Sequence, residues 1–389
     1  MLVTVMTGLQ AQAENWMDRL PDDVFLSVLS VPGAHDAATG SGWQEGMEDL
    51  GDAYARTQEL TMSQLWSLGV RAFDLRPCVY ETHLNLNHGI VPTNQRLEGV
   101  LQMLKDSLTA SPSEFAIIHL LHEKDGDQVE NAYNQRLTQL LKSDSLKDLF
   151  VNYKRNLKVA DVRGKILLLS RDKYASSPIG GFFENWTGSL DWERQTQARI
   201  VGRAADATTL YVQDFSDTHG EGDLVRKVDA IRQMLDFSTT YVTKLSSSVK
   251  WVFNFASAYS QVESLFGYEI STSNGYRDNA VHTHEAILDY LTTHPAGPTG
   301  VVLMDFAGVD QSGSYHVRGK ELVRAIIDNN FGYLTEREAG IETVPADAEP
   351  TAVFSLGGVR LPKARSGSIV LERHADGRVK KSFHTSSSF

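Results

Sequence analysis

Two histidines sit in short stretches of small residues, His35 in "VPGAHDAATG" and His88 in "LNLNHGI". Each stretch leaves an imidazole accessible. With ordinary pKa values near about 6.5, a pair of imidazoles can divide the work of general base and general acid. Asp36 follows His35 directly and Asp305 lies in "VVLMDF", so carboxylates are at hand to orient or charge-stabilise a ring. Arg76 ends "FDLR" and Arg171 ends "LLLSR". Guanidinium groups at such positions suit a phosphate or carboxylate, which they grip with paired hydrogen bonds. Two such histidines and an arginine acting on a phosphodiester give ribonuclease-like chemistry. One imidazole deprotonates a neighbouring hydroxyl, the arginine stabilises charge on the equatorial oxygens, and the other imidazole protonates the leaving oxygen. A hydroxyl next to the phosphate is required.

These residues must be carried to one place from distant parts of the chain. Apolar runs recur at 24–31, 69–76, 115–121, 165–170, 210–215, 251–257 and 300–306. Several are almost continuously apolar, as in strands of a parallel sheet buried on both faces. Between them, "TNQRLEGVLQMLKDSLTAS", "VENAYNQRLTQLLKS" and "GDLVRKVDAIRQMLDF" place leucines and valines at helical spacing. The alternation predicts a β/α barrel; a doubly wound open sheet is the alternative, weakened because no glycine-rich nucleotide turn follows the first run. Six of the seven runs end in ionisable residues: His35 with Asp36, Asp74 with Arg76, His122, Arg171, Asp214 and Asp305. The sixth ends at Ser257 after Asn254. In a parallel barrel all these ends face one rim, where barrel active sites are built.

Composition narrows the partners. The 389 residues carry a formal net charge of −12, against the cationic surface that nucleic-acid backbones demand. No stretch approaches the roughly 20 apolar residues of a membrane span. The single Cys78 excludes an intrachain disulfide framework and a cysteine-based zinc site, and a buried structural thiol is its expected role.

In this order and spacing, "SVPGAHDAATG", "LGVRAFDLRP", "LNLNHG", "SEFAIIHLLHEKDG" and "VVLMDF" resemble the bacterial phosphatidylinositol-specific phospholipase C family, with its X-type catalytic barrel. The resemblance covers roughly residues 17 to 330. It implies an α/β fold, a distorted (β/α)8 TIM-type barrel, that cleaves phosphatidylinositol to diacylglycerol and inositol 1,2-cyclic phosphate. It implies that His35 is the base on the inositol 2-hydroxyl and His88 the acid for the diacylglycerol oxygen. Asp36 then tunes the acid side, Arg76 clamps the phosphate with Asp74 as its partner, and Asp305 orients His35. His122, Arg171, Asp214 and Trp186 fall at substrate-binding positions. His122 departs from the lysine common there, and Phe215 and Ser216 stand where a stacking aromatic is expected one place later than Phe215. Arg76 occupies the place of a calcium-ligating carboxylate in metal-dependent relatives, so no metal or other cofactor is expected.

Aromatic residues flank the expected mouth: Phe182, Phe183, Trp186 and Trp192 after the fourth run, and Trp43 after the first. Exposed aromatics on a rim enter a bilayer interface, and Trp43 is the candidate membrane contact; pocket wall or core is the plainer role for the others. The expected partner is an inositol phospholipid at a membrane surface, met by a monomer. Ala11-Gln12-Ala13 fits the small-x-small pattern before a signal cleavage site, so residues 1–16 are expected to be a signal-peptide remnant or a flexible N-terminus, and the protein to be secreted and peripheral to membranes. The barrel is expected over 17–335, then a linker, then a small β-rich extension at 351–389. His282 and His284 form an HxH pattern without a third ligand, and "EKDGDQVEN" lacks the glutamate of a calcium loop, so both are expected to be structural or solvated. Two competing functions remain: a catalytically silent lipid- or glycan-binding surface protein, and a metal-dependent glycerophosphodiesterase on the same barrel.

Overall fold

The computed structural model describes residues 15–186, 196–203, 206–242, 250–265, 267–339, 352–355, 360–361, 368–373 and 379–384. The chain divides into two compact units, Met1–Tyr333 and Leu334–Phe389.

The first unit is built on a closed barrel. In chain order its strands are β1 (Ser30–Ala34) and β2 (Ala72–Leu75), then a small antiparallel sheet of β3 (Pro77–Tyr80), β4 (His83–His88) and β5 (Val91–Arg96) that stands outside the barrel. The barrel resumes with β6 (Ala116–Leu120), β7 (Ile166–Ser170), β8 (Gly181–Glu184), β9 (Thr196–Val201), β10 (Ala207–Gln213) and β11 (Lys250–Phe255). A hairpin of β12 (Val262–Leu265) and β13 (Tyr268–Ser271) precedes the closing strand β14 (Gly300–Met304). The barrel is closed by β1 pairing in parallel with both β14 and β2. Its distortion is specific: β9 is antiparallel to both β8 and β10, so nine strands close the ring instead of eight. The connection from β7 to β8 contains no helix.

The remaining connections supply the outer helices. In Leu97–Ala110, Leu97, Val100, Leu101, Leu104 and Leu108 are buried, the three- and four-residue spacing of one apolar face. Helix Met62–Ser67 starts at a capping box in which the Thr61 side chain and Gln64 satisfy each other's backbone N–H groups. Helices Asp223–Phe237, Ser273–Thr293 and Gly319–Ala339 follow β10, β13 and β14.

The sequence missed the first strand's position. The apolar run at 24–31 forms the 3-10 turn Leu26–Val28, and the strand itself is "SVPGA". Gly33 is required there, because a Cβ would come within 2.6 Å of the Leu303 side chain and 3.1 Å of the Val302 carbonyl oxygen on β14. At the other end of the barrel, Arg71 and Glu114 pair at 2.8 Å with both side chains fully buried. Trp16 donates to the Gly69 carbonyl and is fully buried, so it is core rather than the end of a flexible N-terminal segment. The proposed signal motif at Ala11–Ala13 lies outside the described residues.

The second unit contains a four-stranded antiparallel sheet, β15 (Ala352–Phe354), β16 (Arg360–Leu361), β17 (Ser368–Arg373) and β18 (Val379–His384), in the order β16-β15-β17-β18. The last helix runs to Ala339, so "EREA", expected to open a linker, is helical.

Candidate active site

His35 follows β1 and Asp305 follows β14, two strands in register, so their side chains emerge beside each other. Nδ1 of His35 lies 2.7 Å from Oδ1 of Asp305. Arg76, which can only donate, reaches His35 Nε2 at 2.7 Å, and this assigns the Nε2 lone pair to the acceptor side and the Nδ1 proton to Asp305. The residue after each partner, Asp36 at φ 42° and Phe306 at φ 50°, is in the left-handed region, where a side chain is strained. Gln58, fully buried, braces both turns. Its Nε2 donates to the His35 carbonyl at 2.7 Å and the Met304 carbonyl at 2.9 Å, and its Oε1 accepts from the Ala307 N–H at 3.0 Å.

The second imidazole enters from β4. His88 Nδ1 donates to the Ala55 carbonyl at 2.7 Å, which leaves Nε2 as its working nitrogen. That Nε2 is 3.7 Å from Asp36 Oδ2 and 3.3 Å from the Tyr276 hydroxyl. The same Asp36 oxygen is 3.6 Å from His35 Nε2 and has no hydrogen-bond partner, although it is buried. Both working nitrogens therefore converge on one unsatisfied carboxylate oxygen.

Arg76 lies across this centre. Its Nε is 3.0 Å from Asp36 Oδ1 and 3.2 Å from Asp74 Oδ2, and its Nη2 is 3.1 Å from the same Asp74 oxygen. Burial acts against the charge on Arg76, but Asp36, Asp74 and Glu123 outweigh it and push its pKa well above the ordinary value. Burial likewise works to raise Asp74, yet Arg76, His119 and His35 hold it well below the usual carboxylate range. Asp36 goes the other way: burial, with Asp74 adding to it, pushes it up to about 8 against the pull of Arg76. Burial and Arg76 lower His35 well below 6.5 and His88 to about 4. Burial and Asp36 raise Asp305 well above the ordinary range.

The substrate-side residues divide. Arg171 and Asp214 face each other at 3.7 Å, Trp186 donates to Asp214 Oδ2 at 3.1 Å, and the Arg171 guanidinium lies 4.2 Å from the Trp186 ring centroid. These three form one cluster. His122 is held elsewhere: its Nε2 is 2.8 Å from Asp127 Oδ2 and its ring is stacked 3.6 Å from Tyr133, so its hydrogen bonding is committed away from the His35–Arg76 cluster.

Trp43 corrects the expectation of a membrane contact. It is only 4% exposed, donates to Asp52 at 2.7 Å and packs with Leu50, Ala55 and Val91. Gly51 lets the ring in, since a Cβ there would come within 2.2 Å of the indole. Phe182 and Phe183 are buried on β8, and Phe215 is buried. Trp192 lies outside the described residues. His284 is buried with Nδ1 on the Val317 carbonyl, as expected of a structural residue.

Sequence reasoning missed His119, Gln58, Tyr276 and Lys227. His119 was hidden inside the apolar run "FAIIHLL", and the Gln58 side chain bonds to backbone groups. Tyr276 and Lys227 sit in helices; Tyr276 meets His88 from 188 positions away, and Lys227 is a lone cation on the buried side of its helix. Lys227 is fully buried and donates to Gln213 Oε1 at 3.2 Å and the Phe215 carbonyl at 2.6 Å.

His35, Asp36 and Asp74 are also the one group of possible metal ligands found among the described residues. The Arg76 cation already lies within 3.0 to 3.2 Å of both carboxylates, so a metal there would meet a like charge.

No protein-family model matches the chain. A 1-phosphatidylinositol phosphodiesterase of Listeria monocytogenes is 33% identical over 175 residues, 43% of this chain and 51% of that protein, so the match spans about half the length of that relative. One of Staphylococcus aureus strain Newman is 24% identical over 331 residues, 83% of this chain and 96% of that protein. A solved structure of the S. aureus phosphatidylinositol-specific phospholipase C, from work on modulation of its membrane binding, superposes with a TM-score of 0.65 at 22% identity, covering 83% of this chain and 99% of that one. The L. monocytogenes enzyme does so with a TM-score of 0.57 at 23% identity, covering 82% and 98%. Across most of its length, then, the chain has the fold of the bacterial phosphatidylinositol-specific phospholipases C and is a homologue of the 1-phosphatidylinositol phosphodiesterases.

Proposed function

We propose that the chain is a phosphatidylinositol phosphodiesterase of the lyase type. The observation that carries the reading is the convergence of His35 Nε2 and His88 Nε2 on Asp36 Oδ2, at 3.6 and 3.7 Å, beside the Arg76 guanidinium. It is supported by the curated relatives named 1-phosphatidylinositol phosphodiesterase.

The substrate phosphate draws the Arg76 guanidinium off His35 Nε2, and His35, neutral and oriented by Asp305, then takes the proton of the inositol 2-hydroxyl on that nitrogen. The freed oxygen attacks phosphorus, and Arg76 balances charge on the equatorial oxygens. The bond from phosphorus to the glyceryl oxygen breaks, and that oxygen receives a proton from the Asp36–His88 pair. The products are diacylglycerol and a cyclic inositol phosphate, with no water consumed. Asp74 holds Arg76, while Arg171, Asp214 and Trp186 contact the inositol ring. Arg76 supplies the positive charge that a calcium ion supplies in a metal-dependent site, which supports a metal-independent reaction. The alternative, an ion held by His35, Asp36 and Asp74, requires Arg76 to move away.

The substrate lies in a membrane, so the mouth must meet one. Among the described residues the exposed large apolar side chains are Met47, Ile90, Val129, Val225 and Tyr268, and each lies on a connection that leaves the C-terminal end of a barrel strand. Ile90, 68% exposed in the turn between β4 and β5 just after His88, and Tyr268, 75% exposed in the β12–β13 pair, lie off the helices, unlike Val225 in helix Asp223–Phe237, which supports these two, in place of Trp43, as the lipid contacts. No helix among the described residues is long and apolar enough to cross a membrane.

The test is phosphorus NMR of the protein with phosphatidylinositol micelles in excess EDTA, beside a His35→Ala control. A cyclic phosphodiester signal that appears in chelator and vanishes in the variant supports the reading. Product formed only after Ca²⁺ is added overturns the role of Arg76. No product under either condition moves the lipid-binding reading to the front.

A further inference from the structure

Asp74 and His119 are direct partners in the register of β2 and β6, so both side chains enter the barrel on the same side. His119 Nδ1 lies 2.7 Å from Asp74 Oδ1. The other carboxylate oxygen, Oδ2, accepts from Arg76 Nε at 3.2 Å, Arg76 Nη2 at 3.1 Å and the Asp36 N–H at 3.3 Å. One Asp74 oxygen thus belongs to the imidazole and the other to the guanidinium and the His35–Asp36 turn. A carboxylate gripped at both oxygens cannot rotate about its terminal bond. The ring itself is immobile, because Trp186, Phe255, Phe183 and Phe253 surround it at centroid distances of 5.3, 5.7, 5.8 and 6.3 Å. Its Nε2 is buried and has no hydrogen-bond partner, so the single bond to Asp74 is the polar contact that fixes its orientation. A leucine or phenylalanine would fill this apolar space without leaving a buried nitrogen unsatisfied, a cost that the core carries here.

We propose that His119 is a positioning residue that locks the Asp74 carboxylate and, through it, sets the Arg76 guanidinium against the phosphate. The same residue joins two parts of the mouth. On one side it touches Asp74 of the phosphate centre; on the other it lies against Trp186, which bonds Asp214 and stacks with Arg171. The inference rests on the reading of Arg76 as the phosphate-binding group.

His119→Met removes the donor while keeping an unbranched side chain among the aromatic rings; His119→Asn retains an N–H near the Nδ1 position. With phosphatidylinositol micelles, His119→Met is expected to lower kcat about tenfold or more with KM changed less than about threefold, and His119→Asn to recover most of the loss. Calorimetric titration with inorganic phosphate provides a readout that needs no turnover: affinity falls several-fold in His119→Met and returns in His119→Asn. A protein that binds phosphate with this dependence but leaves phosphatidylinositol intact overturns the proposed function and not the role of His119. Values of kcat and phosphate affinity within about twofold of wild type in both variants, or equal loss in both, overturn the positioning role. If His119→Met does not fold, the wild-type protein labelled with ¹⁵N-histidine decides: phosphate must shift the His119 ring resonances and leave those of His294, at the far end of helix Ser273–Thr293, unmoved. No His119 shift overturns the proposal.

Discussion

Nδ1 of His35 lies 2.7 Å from Oδ1 of Asp305 across 270 positions of sequence. The bond closes the barrel chemically at the seam where β1 and β14 close it structurally. It leaves Nε2, which accepts from Arg76 at 2.7 Å, as the basic nitrogen, and removing either partner tests it. His35→Ala is expected to lower turnover of phosphatidylinositol by at least about 100-fold, the lower end of what a positioned general base contributes. Asp305→Asn keeps the fold but loses the preferred tautomer and is expected to lose a similar factor. Loss of the cyclic phosphodiester signal in both variants, with unchanged circular dichroism, is the check.

Arg76 is shared by Asp36 and Asp74. Arg76→Lys keeps the charge but loses the planar fork, so kcat/KM is expected to fall about 100-fold or more, with no rescue by calcium. Wild-type rates should be the same in EDTA and in millimolar calcium. Recovery of the lysine variant on addition of calcium would mean that the site accepts an ion.

The profile of kcat/KM against pH reports the free protein's groups. The base works when His35 is neutral. Burial and Arg76 keep its pKa well below 6.5, so the acidic limb lies below pH 6.5. On the acid side burial raises Asp36 to about 8 and lowers His88 to about 4, so the proton of this pair stays on the carboxyl until about pH 8 and is lost above it. The profile is therefore a bell with its alkaline limb near 8. Asp36→Asn removes the carboxyl that holds this proton, and the alkaline limb should move down by several pH units. An alkaline limb that stays near 8 in the variant would assign it to another group.

Trp43 and Ile90 make a paired test of the membrane face. Ile90→Asp and Tyr268→Ser are expected to weaken binding to phosphatidylinositol-containing vesicles several-fold while leaving unfolding midpoints close to wild type. Trp43→Ala, by contrast, should cost about 3–5 kcal/mol of stability in denaturant titration, as a large buried ring does. A stable Trp43→Ala variant that has lost only vesicle binding would reverse the assignment.

Lys227 gives a stability prediction. Burial lowers its pKa to about 7. Between about pH 7 and 10.5 the unfolded chain binds the proton more readily than the folded one, so this residue makes stability rise with pH across that window. Lys227→Met should abolish that rise, about 1.4 kcal/mol for each pH unit at most. Urea midpoints at pH 7.5 and 9.5 for both proteins measure it.

What could be read from the sequence was whatever spacing and residue type express locally. His35, Asp36, Asp74, Arg76 and Asp305 stood at or just beyond the ends of apolar runs, and the structure brings them together because β1, β2 and β14, the strands that carry or precede them, are neighbours. His119 has the same status in space but lies inside its run, where a histidine among leucines and isoleucines looks like core. Its meaning depends on the register with Asp74, which no local pattern encodes. The antiparallel β9 was missed because "TQARIV" is half polar and its partners are β8 and β10, not a hairpin turn with a strong signal. Trp43 is expected at the membrane from its place after the first run, at the rim, whereas Gly51, eight residues later, provides the space that buries it.

The Gln58 brace gives the two strained turns at Asp36 and Phe306 a kinetic consequence. With His35 and Asp305 fixed by backbone bonds before any lipid arrives, the cost of arranging the base falls on folding and not on each encounter with a membrane. The chemical step should therefore show little change in activation heat capacity, and the temperature at which turnover fails should coincide with the temperature at which the barrel itself unfolds.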